Sequence, residues 1–198
     1  MDGGSLYELF ESEEVTLSAG VPTIWMGLVN YLEKEGLKFS TLERTVIGGS
    51  AVPPAMTRTF EENYNVEVIH AWGMTEMSPL GTVSTLKSKH LPLSKKEQLS
   101  LKDKQGRAIY GVDMKIVDDD GQELPWDGKA FGELLVRGPW IINSYFKSSD
   151  VKFLKEDENK LSWFPTGDVA TIDSDGFMQI TDRSKDVIKT GGGWISSI

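Results

Sequence analysis

The sequence predicts an α/β fold in which a partial parallel-sheet α/β region precedes a small antiparallel β-barrel. In residues 1–81, β-branched runs alternate with amphipathic segments, and strand–helix–strand units at this spacing build parallel sheets. After residue 106, short strands alternate with Asp- and Gly-rich turns, which is typical of an antiparallel sheet or barrel. We therefore expect an α/β region over 1–81, a connector over 82–105, a β-barrel region over 106–182 and a final segment over 183–198.

The first elements of the α/β region are a helix, a strand and a second helix. The first helix is predicted to begin at Ser5, where Glu8 completes a capping box. A strand follows over Val15–Ala19, and the second helix runs from Pro22 to a stop at Gly36. The predicted inner face of this second helix consists of Ile24, Leu28 and Leu32.

The rest of the region forms a strand–helix–strand unit. A strand over Thr45–Ser50 enters a Gly-Gly-Ser loop, a helix runs from Pro53 to Asn63, and a strand covers Asn65–Trp72. The connector is polar, and we expect a short helix near Ser94–Leu101. Its lysines are interpreted as a solvated face; they are Lys87, Lys89, Lys95, Lys96 and Lys102.

The β region is predicted from four strands, which cover residues 112–118, 131–138, 163–173 and 177–183. Turns are expected at Asp118–Gly121, Pro125–Gly128 and Asp173–Gly176, because each ends in the Asp-Gly or Asp-x-Gly pattern that favours a reversal.

Composition excludes several classes of protein. The 30 acidic and 21 basic residues give a net charge of −9, which argues against a nucleic-acid scaffold. The sequence has no Cys, which fits a reducing compartment and excludes a disulfide framework. No apolar run approaches the roughly 20 residues of a membrane helix, and the acidic N-terminus is unlike a signal peptide. We therefore expect a cytoplasmic location and no transmembrane segment.

Two loops follow the carboxyl ends of neighbouring predicted strands, Gly48–Pro54 and Trp72–Pro79. Ligands of open α/β sheets bind at that edge. Glycines there admit a flat ring or a phosphate, Trp72 offers an aromatic face, Thr75 a hydroxyl and Glu76 an oxygen ligand for Mg²⁺. These are the components of a Mg-nucleotide site. Taken singly, each feature has a structural alternative: a tight turn, core packing or helix capping.

The β region adds further candidates. Asp168, just after a Trp-Phe-Pro corner, could accept two ribose hydroxyls, although an Asx-turn is the simpler interpretation of the residue alone. Basic residues precede a run of glycines, which suggests anion contact near a hinge or a solvated strand edge; they are Arg183, Lys185 and Lys189. His70 and His90 lack the spacing of a metal site or a catalytic triad and are interpreted as structural or surface residues.

Together these motifs resemble the adenylate-forming superfamily. They are GGSAVPP, HAWGMTEMSP, GELLVRGPWIINSYF and WFPTGDVATIDSDGFMQITDRSKDVIKTGGGWISS, in this order, and they cover nearly the whole chain. The resemblance is to medium- and long-chain fatty-acyl-CoA synthetases and methylmercaptopropionate-CoA ligase-like enzymes. It implies part of their large N-terminal domain, ATP, Mg²⁺ and CoA as reactants, and an acyl-adenylate intermediate.

The resemblance also implies roles for individual residues. The adenine would be bordered by Gly48, Gly49, Ser50, Trp72 and Gly73. Thr75 would bond the α-phosphate, Glu76 would hold Mg²⁺, and Asp168 with Arg183 would bind the ribose. Lys185 would lie at the hinge to the C-terminal domain, and Lys189 matches a position linked to thioester formation; with Thr75 and Glu76 it completes the predicted catalytic set. Two residues of the second helix are weaker candidates for the acyl pocket, Trp25 and Met26.

Some features of the family are not found in these residues. Such enzymes carry a lysine-bearing phosphate loop upstream and a C-terminal domain with a further lysine downstream, and Gly193 stands where relatives often have Glu. We therefore expect an internal piece of an enzyme that does not form acyl-adenylate alone, and a homodimer is considered for the complete enzyme. The alternatives are an aryl-CoA ligase, a carrier-protein loading domain or a non-catalytic nucleotide-binding module.

Overall fold

A computed structural model describes residues 2–147, 153–183, 188–190 and 193–195. The chain divides into two compact units. The first comprises residues 1–73 and 83–103, and the second comprises residues 74–82 and 104–198. Most of the stretch predicted as a connector therefore belongs to the first unit.

The first unit is an α/β structure with a parallel sheet. Its strands are β1 (Leu17–Gly20), β2 (Arg44–Gly48) and β3 (Glu67–Gly73). β2 pairs in parallel with both β1 and β3, so that Val46 lies opposite Ala19 on one side and Ile69 on the other. The predicted parallel sheet is confirmed. The α-helices are α1 (Gly3–Ser12), α2 (Pro22–Glu35), α3 (Pro54–Arg58) and α4 (Lys95–Lys102).

The helix ends follow local chemistry. α2 has Pro22 in its first turn, and Gly36 ends it in the left-handed conformation at φ 66°. α4 carries a capping box, in which the Ser94 hydroxyl accepts from the Glu97 amide and the Glu97 carboxylate accepts from Ser94. The N-cap predicted for α1 was wrong. Asp2 is the N-cap, because its carboxylate accepts the backbone N–H of Ser5 at 3.0 Å, and the helix therefore includes Gly3 and Gly4.

The inner face of α2 differs from the prediction at one of its three residues, whereas Leu28 and Leu32 are buried as predicted. Trp25, Leu28 and Leu32 are buried at i, i+3 and i+7, whereas Ile24 is 46% exposed. Ile24 was therefore wrongly placed in the core. The core of this unit includes aromatic and aliphatic residues from helices and strands, among them Leu6, Phe10, Trp25, Leu28, Leu32, Ile47, Phe60, Val66 and Val68.

The helix predicted over 53–63 is not uniform. After α3, the chain continues as a π-helical turn over Thr59–Asn63. In this turn the Phe60 side chain is fully buried, and Glu61 forms ion pairs with Lys95 and Lys102 of α4. Lys102 is itself buried, so the prediction of a solvated lysine face was wrong for this residue.

The second unit is built on an antiparallel sheet. Its strands are β6 (Asp113–Val117), β7 (Phe131–Arg137), β8 (Lys155–Glu156), β9 (Ser162–Ile172) and β10 (Met178–Arg183). The short strands β4 (Leu80–Val83) and β5 (Arg107–Ala108) are not part of this antiparallel sheet. The sheet order is β10-β9-β7-β6, and β8 pairs with β9. The antiparallel arrangement predicted for this region is confirmed. Two further strands, β11 (Ile188–Thr190) and β12 (Gly193–Ile195), pair with each other.

The three predicted turns are confirmed, and each is organised by an aspartate. The Oδ1 atoms of Asp118, Asp127 and Asp173 each accept two backbone N–H groups at 2.8–3.0 Å. The glycine that follows in each turn has a positive φ of 73–82°. Within the described residues, no helix combines the length and apolar character needed to cross a membrane.

Candidate functional site

The first group of predicted residues lies at the carboxyl edge of β2 and β3. Gly48 is opposite Ala71 in the parallel ladder, so the loop after β2 begins beside the end of β3. A Cβ atom at Gly48 would lie 2.5 Å from the Ala71 carbonyl oxygen, and Gly49 has a φ of 82°. Both positions therefore require glycine, the first because of the close approach and the second because of its backbone conformation.

Other predicted adenine-binding residues lie at the same edge. Trp72 and Gly73 are the last two residues of β3 and are half-buried, and Ser50 is exposed in the loop after β2. The structure therefore brings an aromatic face and a glycine loop to neighbouring strand ends, as the sequence predicted. Their contact with an adenine stays a prediction.

The residues predicted to bind phosphate and metal lie on a short turn in the second unit. A single 3₁₀ turn covers Thr75–Met77. Met77 is fully buried and anchors the turn, whereas Thr75 is exposed and Glu76 is half-buried. The turn therefore keeps the hydroxyl and the carboxylate accessible on a fixed backbone.

The segment Trp140–Tyr145 holds this turn in place. The Ile142 N–H donates to the Glu76 carbonyl oxygen at 3.0 Å, and the Ser78 hydroxyl donates to the Trp140 carbonyl oxygen at 3.1 Å. The Trp140 indole N–H donates to the Leu80 carbonyl oxygen at 3.4 Å. Hydrogen bonds at Glu76 and at the following residues Ser78 and Leu80 thus hold the turn from a part of the chain that is at least 60 residues away.

Tyr145 contacts the Glu76 side chain directly. Its hydroxyl donates to Glu76 Oε1 at 3.0 Å. Its ring lies 5.2 Å from that of Phe153, which in turn lies 6.1 Å from Phe164. Burial raises the pKa of Tyr145, and the hydrogen bond to the Glu76 carboxylate raises it further, so the hydroxyl stays protonated at neutral pH. The sequence analysis missed Tyr145, which it included in the motif GELLVRGPWIINSYF without assigning it a role.

The Glu76 carboxylate has the chemistry of a magnesium ligand. Within the described residues, no cluster of three or more His, Asp or Glu side chains could hold a metal by itself. Mg²⁺ in nucleotide sites is commonly held by only one or two carboxylates together with phosphate oxygens and water. A half-buried carboxylate on a rigid turn fits that type of site, in which the nucleotide supplies the remaining oxygen ligands.

Asp168, a predicted ribose ligand, is buried in β9 rather than located in a turn. Its N–H donates to the Thr166 hydroxyl at 3.1 Å, and that hydroxyl donates to the Leu134 carbonyl oxygen at 2.9 Å. In the antiparallel ladder, Asp168 is directly opposite Arg183 of β10. The two residues predicted to bind ribose are thus backbone neighbours on adjacent strands.

The other basic residues are described less completely. Lys185 lies outside the described residues. Lys189 is in β11, where it is opposite Trp194 of β12. Their predicted roles at the hinge and in thioester formation stay predictions.

The two residues assigned to an acyl pocket have different environments. Trp25 is buried in the core, with its ring 6.3 Å from Phe10 and 6.2 Å from Phe60. Met26 is 49% exposed. A role in acyl binding stays a prediction for both residues, and the core packing of Trp25 already accounts for its position.

Both histidines are buried structural residues, as one interpretation of the sequence held. Burial lowers the pKa of His70 to about 4, even though its side chain hydrogen-bonds the Asp103 backbone, so the imidazole is neutral at pH 7. The Nδ1 atom of His90 accepts the Lys87 N–H at 3.2 Å.

Comparison with known proteins assigns this chain to a family. The chain belongs to the AMP-binding enzyme family, whose model matches residues 1–146. It is 53% identical over 198 residues to the 3-methylmercaptopropionyl-CoA ligase of Ruegeria lacuscaerulensis and 52% identical over the same length to the medium-chain-fatty-acid–CoA ligase of Ectopseudomonas oleovorans. These alignments cover 100% of this chain but only 36% and 35% of the relatives, so the chain spans about a third of their length.

A solved structure gives the same result for the fold. The long-chain-fatty-acid–CoA ligase of Archaeoglobus fulgidus superposes with a TM-score of 0.77 at 30% identity, over 92% of this chain and 37% of that protein. The resemblance inferred from the motifs is therefore confirmed.

Proposed function

We propose that this chain is part of an acid–thiol ligase that activates a carboxylic acid, preferably a fatty acid, with ATP and transfers the acyl group to CoA. The observation that carries the proposal is the 53% identity to an acyl-CoA ligase from the first to the last residue of the chain. The glycine loop beside Trp72 and the accessible Thr75–Glu76 turn support it, because they supply the surface and the polar groups that a Mg-nucleotide requires.

The chemistry proceeds in two steps. A carboxylate is a poor electrophile, so one of its oxygens first attacks the α-phosphorus of ATP, and the bond to pyrophosphate breaks. The acyl-adenylate then has AMP as a good leaving group. The CoA sulfur attacks the acyl carbon, the bond to AMP breaks, and the thiol proton passes to solvent or a base. The first step places most demand on charge neutralisation at phosphate.

In this proposal the loop after β2 and the end of β3 supply the adenine surface. Gly48, Gly49 and Ser50 border the ring, Trp72 lies against its face, and Gly73 leaves room for it. The exposed backbone at Gly49 supports this assignment, since a backbone without a Cβ atom admits a flat ligand closely.

The turn at Thr75–Met77 and the paired strands β9 and β10 supply the polar contacts in this proposal. Thr75 donates to the α-phosphate, Glu76 holds Mg²⁺, and Asp168 with Arg183 binds the ribose hydroxyls. When bound, Mg²⁺ neutralises negative charge on the phosphates. The accessible hydroxyl and carboxylate of the turn and the opposed positions of Asp168 and Arg183 support these roles.

The remaining roles concern the second step and the context of the complete enzyme. Lys185 serves as a hinge residue, Lys189 acts in thioester formation, and Trp25 and Met26 border the acyl pocket. CoA is the co-substrate. A homodimer of the complete enzyme and a cytoplasmic location remain predictions.

The test uses the complete protein that contains these residues. Purified enzyme is incubated with ATP, Mg²⁺, CoA and a panel of short-, medium- and long-chain fatty acids, methylmercaptopropionate, benzoate and cinnamate, and AMP and acyl-CoA are quantified. We expect AMP and thioester in equal amounts with one class of aliphatic acid. A preference for aromatic acids would indicate an aryl-CoA ligase, and nucleotide binding without acid-dependent AMP release would favour the non-catalytic module.

A second test uses the 198 residues alone. We expect no ATP–pyrophosphate exchange, because the lysine-bearing segments of the family are not among these residues. Exchange above background with the isolated chain would contradict that expectation without affecting the assignment of the complete enzyme.

A further inference from the structure

The contact between Tyr145 and Glu76 places an aromatic hydroxyl on the carboxylate to which we assign the metal. The hydrogen bond engages one carboxylate oxygen, Oε1, at 3.0 Å. Within the part of the chain that the structure describes, no hydrogen bond reaches the other oxygen, Oε2. A carboxylate can accept several hydrogen bonds, so a donor on one oxygen leaves the other available as a ligand.

This contact limits the freedom of the Glu76 side chain. A glutamate has three rotatable side-chain bonds and loses conformational entropy when it is fixed. A side chain already held in one orientation does not lose that entropy when the metal binds. Carboxylate ligands are therefore commonly hydrogen-bonded by a neighbouring residue that orients them.

Tyr145 is itself held in position by two different interactions. Its ring packs against Phe153, and three residues earlier the Ile142 N–H donates to the Glu76 carbonyl oxygen at 3.0 Å. The same short segment thus fixes both the backbone and the side chain of Glu76.

We propose that Tyr145 is a positioning residue for the metal-binding carboxylate: its hydroxyl orients Glu76 so that Oε2 faces the Mg-nucleotide. This inference rests on the proposed function, because it takes Glu76 as the metal ligand. It predicts that the hydroxyl matters for metal affinity and for adenylate formation, and not for the attack of CoA on a preformed adenylate.

The test compares Tyr145→Phe with Tyr110→Phe in the complete enzyme. Tyr145→Phe removes the hydroxyl and keeps the ring that packs on Phe153. Tyr110 is fully exposed, so Tyr110→Phe controls for the loss of a tyrosine hydroxyl as such. Mn²⁺ serves as the probe, and its binding in the presence of ATP is measured by electron paramagnetic resonance.

We expect Mn²⁺ to bind Tyr145→Phe about 10- to 100-fold more weakly than wild type, the range found when a residue that orients a metal ligand is lost. Tyr110→Phe should bind Mn²⁺ as wild type does. Thioester formation from synthetic acyl-adenylate and CoA should be unchanged in both variants. Wild-type Mn²⁺ affinity in Tyr145→Phe would overturn the inference, and so would an equal loss in both half-reactions.

A double substitution separates positioning from general destabilisation. In a Glu76→Gln background, Tyr145→Phe should weaken Mn²⁺ binding little further, because the carboxylate that it orients is gone. A further loss as large as in the wild-type background would contradict the proposal. If Tyr145→Phe does not fold, Phe153→Leu removes the ring against which Tyr145 packs, and Tyr145 keeps its hydroxyl. Weaker Mn²⁺ binding in that variant would support the proposal, and unchanged binding would overturn it.

The outcomes distinguish this inference from the proposed function. A wild-type enzyme that binds Mn²⁺ with ATP but releases no AMP with any acid refutes the ligase assignment and leaves the effect of Tyr145 on metal binding measurable. An active enzyme in which Tyr145→Phe has wild-type Mn²⁺ affinity refutes the inference alone. A wild type that binds no Mn²⁺ in the presence of ATP refutes both.

Discussion

The ion pair between Glu61 and Lys102 leads to a quantitative prediction. The two side chains are 4% and 8% exposed, and the Lys102 Nζ lies 2.6 Å from Glu61 Oε1. Lys95 also pairs with Glu61 but is 56% exposed, and Glu67 lies 3.5 Å from Lys102. The substitution Lys102→Met keeps an unbranched side chain of similar length and removes the buried positive charge.

The expected loss of stability follows from this burial. Removing one member of a buried ion pair typically costs about 3–5 kcal/mol, because the partner is left as an uncompensated buried charge. Lys95 still pairs with Glu61, so we expect the lower end, about 3 kcal/mol. For a chain of about this size, 1 kcal/mol shifts the melting temperature by about 2–4 °C, which gives a decrease of about 6–12 °C.

The direction in which stability changes with pH follows from the pKa of Glu61. Burial acts to raise the pKa of Glu61, but hydrogen bonds from Lys102 and Lys95 outweigh it, and the pKa is lowered overall. A lowered folded-state pKa gives stability that is present above the unfolded pKa, near pH 4.5, and is lost as the pH falls through the folded value. Lys102→Met should raise the pKa of Glu61, so the difference in stability between the variant and wild type should shrink as the pH is lowered towards 4.

Thermal and urea unfolding of the 198-residue chain, followed by circular dichroism between pH 4 and 8, measures both effects. The matched control is Lys34→Met, because Lys34 is 78% exposed in its pair with Glu35 and should change the midpoint little. Glu61→Gln in the Lys102→Met background should restore part of the stability, because it removes the uncompensated charge. A Lys102→Met variant as stable as wild type at pH 7 would refute the reasoning.

Three further predictions test other parts of the structure. Gly48→Ala should destabilise the chain by about 1–3 kcal/mol, because the new Cβ would meet the Ala71 carbonyl oxygen at 2.5 Å. Its control in urea unfolding is Gly27→Ala in α2, where the new Cβ meets nothing within 4 Å and the change should be neutral or stabilising. Hydrogen bonds to the Asp157 carboxylate, first from the Leu161 N–H and then from the Trp163 indole, lower the pKa of Asp157 to about 2. Asp157→Asn should therefore remove stability at neutral pH and reduce the loss of stability that wild type shows between about pH 4 and 2. Unfolding measured at a series of pH values tests this. In the complete enzyme, Glu76→Gln should cripple adenylation at ordinary Mg²⁺, whereas Lys189→Ala should slow thioester formation and spare adenylation; equal losses in both half-reactions would remove the assignment of Lys189.

Much of the fold was predictable because its signals are local. Pro22 and Gly36 mark the two ends of α2, and Asp118, Asp127 and Asp173 each form a turn with neighbouring backbone amides. Such features depend on a few adjacent residues, so they can be recognised without knowledge of the tertiary contacts. The strand ends that carry Gly48 and Trp72 were predictable for the same reason.

The errors arose where a second candidate residue or a contact distant along the chain decides the outcome. Ser5 has the pattern of an N-cap, but Asp2 accepts its amide with a charged carboxylate. Ile24 suits the apolar stripe of α2 in sequence, yet the buried face is centred on Trp25 because the aromatic core lies on that side. Lys102 appeared to be one of several surface lysines until the π-helical turn brought Glu61 beside it.

The same distinction explains which part of the candidate site was missed. Thr75 and Glu76 were found because the residues that matter for their chemistry are adjacent along the chain. Tyr145 is 69 residues from Glu76, and no local pattern relates a tyrosine near the end of one motif to a glutamate in another. This hydrogen bond can be recognised only in the folded structure, where the segment that binds the Glu76 backbone also places the Tyr145 hydroxyl beside the Glu76 carboxylate. The functional groups of such a site can therefore be inferred from sequence, whereas the residues that orient them require the fold.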